Sequence, residues 1–564
     1  MKIKESNLKL DSKSIGSLPI INHFFNRINL LDSLNKHVPS RANMKFKHSE
    51  AIALLVRNIL IERQPLYNLA QWSKQYAAEW IGLEGVNPKI LNDDRIGRSL
   101  NALFEADRAS LMTEIVLNMI DEFNLDTSQF HNDSTSVTVY GNYTGDSHFN
   151  DKKSINLTHG HNKDHRPDLK QLVFCLTVSR DGAVPIHYKA YDGNMTDDRT
   201  HIQTWETLRR LTGKTDFIYI ADCKLCTREQ MDHITGEGGK FITVLPKTRS
   251  EQKWFKEWAQ KTRIPWQEIY RTPNHRRPNS GEEFVYHGFE SPLPSKEGYR
   301  IIWILSSQKQ LDDQDKRQRQ IEKSLDALDN LKQKIGKRKL CTKEQISEAV
   351  NSVLEANNSE KWFSWHIISE DITEFKQKRK GRPGKNTQYV QHIKTQYNFV
   401  AMPNEEAIQN EAKFDGIFPL ITNIKAGELS VSEILIKYKY QPFIEKRFEQ
   451  LKTVFDATPI ELKARHRVEA LMFIYFIVLI MNALIERELK LKMKERGLEK
   501  IPIYPEERLC RKPTTERILA IFQNQRRHVL KSQGESIKTF NDELSELHDI
   551  VLKLVGVKRK YYTK

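Results

Sequence analysis

The chain of 564 residues is long enough for three or four domains, and its 38% hydrophobic content supplies cores for them, which excludes a disordered protein. Lys and Arg outnumber Asp and Glu by 89 to 73, a formal net charge of +16 that favours a polyanionic partner, nucleic acid before anionic membrane. Five cysteines form no disulfide framework, so a reducing compartment is expected, and MKIKESNLKLDSK lacks the apolar run of a signal peptide.

Residues 1–125 read as helical throughout. INHFFNRINLLDSLNKHV, HSEAIALLVRNILIERQPLYNLAQW with Ser49 as its N-cap, and RASLMTEIVLNMIDEF all carry apolar residues at helical spacing. At 129 the texture changes. FHNDSTSVTVYG alternates with period two, which puts Asp133, Thr135, Val137 and Val139 on one face of a strand. LKQLVFCLTVS and PIHYKAYDG are further strands, joined through the hairpin signal Asp181-Gly182. A helix at 200–212, the strand DFIYIADC, a helix near 226–236 and the strand KFITVLP complete a mixed α/β sheet over 126–248.

Residues 249–425 are less regular and richer in charge, as expected of an inserted domain. They hold a strand YRIIWILSS, a polar helix DQDKRQRQIEKSLDALDNLKQKIG, a basic flexible stretch KQKRKGRPGKN and strands at YNFVAMP and DGIFPLITN. Helices resume over 426–500: SVSEILIKYKYQ, with Ser430 and Glu433 at capping-box spacing, then PFIEKRFEQLKTVF, then the apolar run ALMFIYFIVLIMNALI. That run falls short of a ~20-residue membrane span and is flanked by charge, so it is expected as a buried central helix. Residues 501–564 read as basic and helical, and the chain has no internal repeat.

A carboxylate on the face of a strand, as at Asp133, is costly to bury without a partner. Asp222 stands at the C-terminal end of an apolar strand, where α/β sheets form their sites. On adjacent strands the two can share a hard divalent cation, Mg²⁺ or Mn²⁺; the plain alternative for each is a strand-end Asp capping a turn. In IKYKYQPFIEKRFEQLK, steps of three, four and seven keep Tyr438, Gln441, Glu445 and Lys452 on one side of a helix, which Pro442 kinks or restarts. Glu449, one turn on, competes with Glu445, and a helix of solvated charges is the ordinary meaning of such a run. Cys223 and Cys226 form a lone C-x-x-C without a second ligand pair. His161 and His165 stand four apart, but Asn162 and Pro167 favour a loop over a zinc pair. Asp192, Asp197 and Asp198 suit turns and a helix start.

These three acids in their contexts resemble the DDE insertion-sequence transposases of the IS-four group. Y-x2-Q-x3-E-x6-K is similar to that group's Y-x2-R-x3-E-x6-K signature, with Gln441 in place of Arg. NDSTS, GHNKDHRPDLKQLVF, YDGNMTDDRT, IADCKLCT, DGIFPLITN and the N-terminal LPIINHFFNRINL look like the same group, and the resemblance runs from about 129 to 485. It implies a ribonuclease H-like core of mixed sheet and flanking helices in two parts, 126–248 and 426–500, interrupted by an insertion domain at 249–425. Around it the expectation is a helical DNA-binding domain at 1–125 and a basic helical region at 501–564.

By the same resemblance Asp133, Asp222 and Glu445 are the catalytic, metal-binding triad. Mg²⁺, or Mn²⁺ in its place, would bind there as a pair about 4 Å apart that activates a water or a DNA 3′-hydroxyl. Tyr438 and Lys452 are expected at DNA phosphate, with Gln441 making a weaker, uncharged contact. His165, Arg166 and Lys170, in the loop that also carries Asp164 and Asp168, are expected near DNA. The implied activity is cut-and-paste transposition by a homodimer on double-stranded DNA, in a bacterial cytoplasm and on the nucleoid when bound. A hydrolytic nuclease of the same fold and a non-catalytic DNA-binding derivative are the alternatives. Among Trp254, Trp258, Trp303, Trp362 and Trp365, one can stack on a flipped base, although core packing is the commoner role. KQKRKGRPGK and KRKYYTK are candidate phosphate contacts.

Overall fold

A computed structural model describes residues 8–145, 147–195, 200–274, 277, 281–336, 340–532 and 534–563; Asp197 and Asp198 lie outside the described residues. The chain divides into two units. The first comprises Met1–Val244, Thr422–Ile424 and Ile436–Lys564, and the second Leu245–Ile421 with Lys425–Leu435.

The first unit begins with strand β1 (Leu8–Ser14), followed by helices α1 (Leu18–Arg27), α2 (Leu30–His37), α3 (His48–Ile61), α4 (Asp93–Glu105) and α5 (Arg108–Phe123). Asn92 and Asp107 cap the last two by accepting from the backbone amides of Arg95 and Ser110 at 2.9 and 3.1 Å. α3 does not start at the expected Ser49. Lys47 is its N-cap residue, and Ser49, already inside the first turn, donates its buried hydroxyl to Asn35 Oδ1 at 2.5 Å.

The sheet of this unit follows: β2 (Gln129–Val139), β3 (Lys170–Ser179), β4 (Pro185–Tyr191), α6 (His201–Thr212), β5 (Ile218–Ile220), α7 (Arg228–Gly236) and β6 (Lys240–Val244). Its strands stand in the order β4-β3-β2-β5-β6. β2/β3 and β3/β4 pair antiparallel, β2/β5 and β5/β6 parallel, so hairpins build one half and strand–helix crossovers the other. Gly182, at φ +78°, makes the β3–β4 turn that Asp181-Gly182 predicts.

The second unit holds α8 (Ser250–Lys261), β7 (Gln267–Pro273), β8 (Glu283–Glu290), β9 (Arg300–Ser306), α9 (Ser307–Lys332), α10 (Lys343–Ala356), β10 (Phe363–Gln377), β11 (Tyr389–Pro403) and β12 (Ile417–Thr422). Strands run in the order β12-β9-β8-β7, while β10 and β11 form a separate antiparallel ribbon. Ile321, Leu328, Ile346, Val350 and Leu354 of α9 and α10 pack with Phe363 and Phe399 at the root of that ribbon.

The chain returns through α11 (Val431–Tyr438), α12 (Pro442–Glu449) and α13 (Arg465–Glu495). The Ser430/Glu433 box forms as the spacing predicts: Ser430 N donates to Glu433 Oε2 at 2.8 Å and Glu433 N to Ser430 Oγ at 3.3 Å. Pro442 separates α11 from α12 and takes the first helical position of the latter. α13 contains the apolar run, whose most hydrophobic window is 94% buried inside the protein, as a core helix would be.

The C-terminal region departs from expectation. Instead of helix alone it contains β13 (Arg526–Ser532) and β14 (Glu535–Asn541), with β13 antiparallel to β1, ahead of helix α14 (Glu546–Val555). The N-terminal region is likewise not wholly helical, since β1 supplies the third strand. Pairing between residues some five hundred positions apart leaves no local period in either segment, and neither strand has an apolar face strong enough to declare itself.

Candidate active site

Register along the parallel pair β2/β5 sets His131 against Ile220. Asp133, in the middle of β2, and Asp222, two residues past Ile220 at the end of β5, are each two residues further on and therefore lie side by side along neighbouring strands. Asp222 accepts through Oδ1 from the amide of Lys224 at 3.0 Å, so the turn-capping role is realised. Asp133 accepts from its neighbour Ser134 N at 2.7 Å and has the Lys163 ammonium 3.7 Å from Oδ1.

Glu445 sits in the first turn of α12, exposed, and Tyr438 closes α11. Burial raises the pKa of the Tyr438 phenol, and the negative charges of Asp222, Glu445 and Asp133 raise it further, which puts all three carboxylates within electrostatic reach of one hydroxyl.

Two aspartates and a glutamate are hard oxygen donors of the type that Mg²⁺ and Mn²⁺ take. Among the described residues no three His, Cys, Asp or Glu are gathered closely enough to hold an ion. The cation beside Asp133 is instead Lys163, whose ammonium stands where positive charge is called for. The donor chemistry of the three carboxylates fits a divalent ion.

Lys163 belongs to the loop that GHNKDHRPDLKQLVF marked, and that loop is held in place. Lys163 N donates to Ser136 Oγ at 2.9 Å and its ammonium bonds the Ser134 carbonyl. Asn162 organises the loop through Oδ1, accepting from Asp164 N and Arg166 N at 2.7 and 3.2 Å, and through Nδ2, donating to Gln171 Oε1 at 2.9 Å. Gly160 packs against Gly193, where a Cβ would come within 2.1 Å of the Gly193 carbonyl oxygen. The two glycines, from two separately noted motifs, make a single backbone contact.

Other expected DNA contacts are placed variously. Lys452, 16% exposed, donates to Asp164 Oδ1 at 2.5 Å. Arg166 forms a two-pronged pair with Asp168 at 2.9 and 2.7 Å, and His165 is exposed at φ +57°. Lys170 bonds the Asn142 carbonyl. Gln441 is buried: its Nε2 donates to the Asn132 carbonyl at 3.2 Å and its Oε1 lies 2.9 Å from His131 Nδ1. There it ties the entry of α12 to β2 rather than facing solvent.

A polar layer that the sequence left unread lies under the site. Gln129 Nε2 meets His131 Nε2 at 2.7 Å, so the imidazole is served on both nitrogens as a neutral ring, and burial holds its pKa down to about 4. Asn132 Oδ1 accepts from Thr177 Oγ1 at 2.8 Å, while its Nδ2 lies 3.4 Å from His201 Nδ1. Arg447, two residues past Glu445, is also buried and reaches the Gly182 and Ala183 carbonyls at 2.8 and 3.0 Å. No residue pattern announces these side chains, because each is defined by a partner on another element.

Of the tryptophans, Trp303 is fully buried and stacked on Phe255 with centroids 3.7 Å apart, and Trp362 is in the core of the second unit. Trp365 packs at the edge of that core. Trp254 and Trp258 stack on each other at 5.8 Å and stay half-buried. Neither Cys223 nor Cys226 takes part in a disulfide.

Residues 126–481 match the family described as transposase DDE domain, and residues 10–117 match a domain of unknown function, DUF4277. The chain matches none of the curated proteins. Among solved structures, a piggyBac transposase synaptic complex with hairpin DNA is 7% identical, with 97% of this chain and 84% of that chain covered and a TM-score of 0.38. A Mos1 transposase paired-end complex with the left transposon end is 13% identical, covering 40% of this chain and 74% of that one at a TM-score of 0.15. A Mos1 mariner paired-end complex with Mn is 13% identical, covering 43% and 79% at 0.14.

Proposed function

The chain belongs to the transposase DDE domain family, and from that premise we propose that it is a DNA transposase, which binds the ends of a mobile element, cleaves them and joins the 3′-ends to target DNA. What supports the reading is the transposase DDE domain match over residues 126–481 together with Asp133 and Asp222 on adjacent parallel strands and Glu445 within electrostatic range of the same tyrosine, Tyr438. A purely DNA-binding role needs no such group of carboxylates.

In this reading the first unit's mixed sheet is a ribonuclease H-like core, the second unit is its insertion domain, and Tyr438, Gln441, Glu445 and Lys452 are the Y-R-E-K signature of the IS-four group with Gln for Arg. Asp133, Asp222 and Glu445 would hold Mg²⁺, or Mn²⁺ in its place. Bound divalent ions supply Lewis-acid activation of the attacking oxygen and stabilise the leaving one during in-line displacement at phosphorus.

The protein's own groups do the rest. Lys163 balances Asp133 in the free protein and, once displaced, lies within reach of a phosphate as a point charge. Lys452 exchanges Asp164 for phosphate in the same way. Gln441 and Arg447 keep the Glu445 helix registered on β2 and the β3–β4 turn. Pairing of two element ends calls for two protomers, so a homodimer on double-stranded DNA is the working assembly.

The test is cleavage of duplexes taken from the DNA that flanks the gene, with Mg²⁺. Wild-type protein nicks or excises at the element ends, and Asp133→Ala binds the same DNA without cutting it. Undiminished cleavage by Asp133→Ala would overturn the triad. A product joined to target DNA distinguishes a transposase from a hydrolytic nuclease, and binding with no cleavage by the wild type identifies a non-catalytic derivative.

A further inference from the structure

Strands β10 and β11 stay in unbroken register from Phe363 opposite Pro403 to Gln377 opposite Tyr389. The second unit's core accounts only for the root, where Phe363, Trp365, Ile367, Tyr397 and Phe399 pack. From Ile368 out to Gln396 every residue is exposed or half-buried. The ten pairs from Ile368/Asn398 to Gln377/Tyr389 therefore stand clear of the core, roughly 33 Å of ribbon at ~3.3 Å per residue. Two strands alone are marginally stable in water, so a ribbon of this length without cover has to be explained by what it meets.

Charge along the ribbon is segregated. Glu370, Asp371 and Glu374 lie on the rootward half together with Lys394, which stands opposite Ile372, whereas residues 375–393 contain Lys376, Lys378, Arg379, Lys380, Arg382 and Lys385 and no acid. The tip is shaped rather than loose: Lys378 N donates to the Gln388 carbonyl at 2.9 Å, and Gly384 N to Thr387 Oγ1 at 2.7 Å. On one face of the outer ribbon Phe375, Tyr389 and Ile393 are 66%, 53% and 68% exposed, and their register partners show that they share that face. Exposed apolar side chains within a field of cations fit a surface that is itself anionic and apolar by turns.

We propose that the β10/β11 ribbon is an arm that lies in the major groove of duplex DNA, with its tip cations on the phosphates of both walls. The major groove, about 12 Å wide, admits a two-stranded ribbon, and the free length spans about one helical turn. Phe375, Tyr389 and Ile393 then meet base edges, thymine methyls above all, and the tip cations release counterions from the backbone. A second copy of the chain is a poorer occupant of the same face, because two such tips repel. The inference deepens the transposase reading and rests on it for the presence of DNA, but it concerns a surface that takes no part in cleavage.

Two full-length variants test it on a duplex of about 40 base pairs that carries one element end from the DNA flanking the gene. One carries Lys378→Gln, Arg379→Gln, Lys380→Gln, Arg382→Gln and Lys385→Gln at exposed positions. In the other, residues 372–394 are replaced by an Asn-Gly turn, leaving the packed root intact. The neutralised variant should bind at least about tenfold more weakly near physiological salt, and its log–log salt slope should be shallower by up to about 4.5. Both should lose a stretch of guanine N7 protection about one turn long. Unchanged slope and protection in both variants would overturn the arm, as would a change in light-scattering mass without DNA while DNA binding is untouched. Normal cleavage with arm-independent binding sinks the arm and leaves the transposase reading. Arm-dependent protection by a wild type that never cleaves does the reverse.

Discussion

Arg447 and Glu486 form a buried ion pair, Nη1 to Oε2 at 3.2 Å, that joins the helix of Glu445 to the central helix α13. Gln450 completes it, accepting from Arg447 at 2.6 Å and donating to Glu486 at 3.1 Å. Burial alone would raise the Glu486 carboxyl, but the Arg447, Lys446 and Lys490 charges outweigh it and hold the pKa low. Arg447→Ala removes the nearest counter-charge and a charged hydrogen bond but leaves Lys446 and Lys490 at 3.6 and 3.8 Å from Glu486, which should cost about 2–3 kcal/mol. Chemical denaturation should show a loss of that size, with DNA cleavage reduced beyond what the unfolded fraction explains. Replacing Arg447 and Glu486 together by apolar residues should cost less than the sum of the single changes.

Lys163 should compete with a divalent ion for Asp133. An ammonium near 4 Å contributes about 1 kcal/mol even with the screening of water, and this pair is partly solvated. Lys163→Gln should therefore bind Mn²⁺ roughly fivefold more tightly in the absence of DNA, by calorimetry or electron paramagnetic resonance. Equal or weaker binding would show that the lysine is not the counter-charge of this site.

Gln441 should act through stability. Gln441→Leu strands the His131 ring and the Asn132 carbonyl, each an unmet buried group worth about 1–3 kcal/mol. The expected result is a lower denaturation midpoint with the salt dependence of DNA binding unchanged. A stable variant with a shallower salt slope would instead put the side chain on phosphate.

Two buried histidines should make the fold acid-sensitive above the carboxylate range. Burial holds both His131 and His187 near a pKa of about 4. The folded state thus refuses a proton that the unfolded chain takes at about 6.5. Their contribution is complete above that value and is lost as pH falls towards 4, about 2 kcal/mol per group by pH 5. Denaturation midpoints should drop between pH 7.5 and 5, and a His187→Phe variant should drop less over the same interval.

The strands and helices that bear the three acids were legible because each rests on a local period: alternation around Asp133, an apolar run before Asp222, helical spacing around Glu445. The same is true of the Asp181-Gly182 turn, the Ser430/Glu433 box and the apolar helix α13, whose burial its flanking charges foretold. The loop around Lys163 was visible as a motif but not as a neighbour of Asp133.

What local pattern cannot carry is pairing across distance. β1 and β13 are each half of a contact, and neither half has a face apolar enough to be read alone. Gln441 looked like a poor substitute for a phosphate-binding arginine until His131 and Asn132 were seen beside it. Lys452 and Asp164, Arg447 and Glu486, Gly160 and Gly193 have the same character. A side chain's type limits which bonds it can make, and a sequence therefore states the chemistry available to this site. Which of those bonds exist depends on burial and on the partner that folding brings up, and for Lys163 at Asp133 that partner arrives from a different loop, thirty residues along the chain.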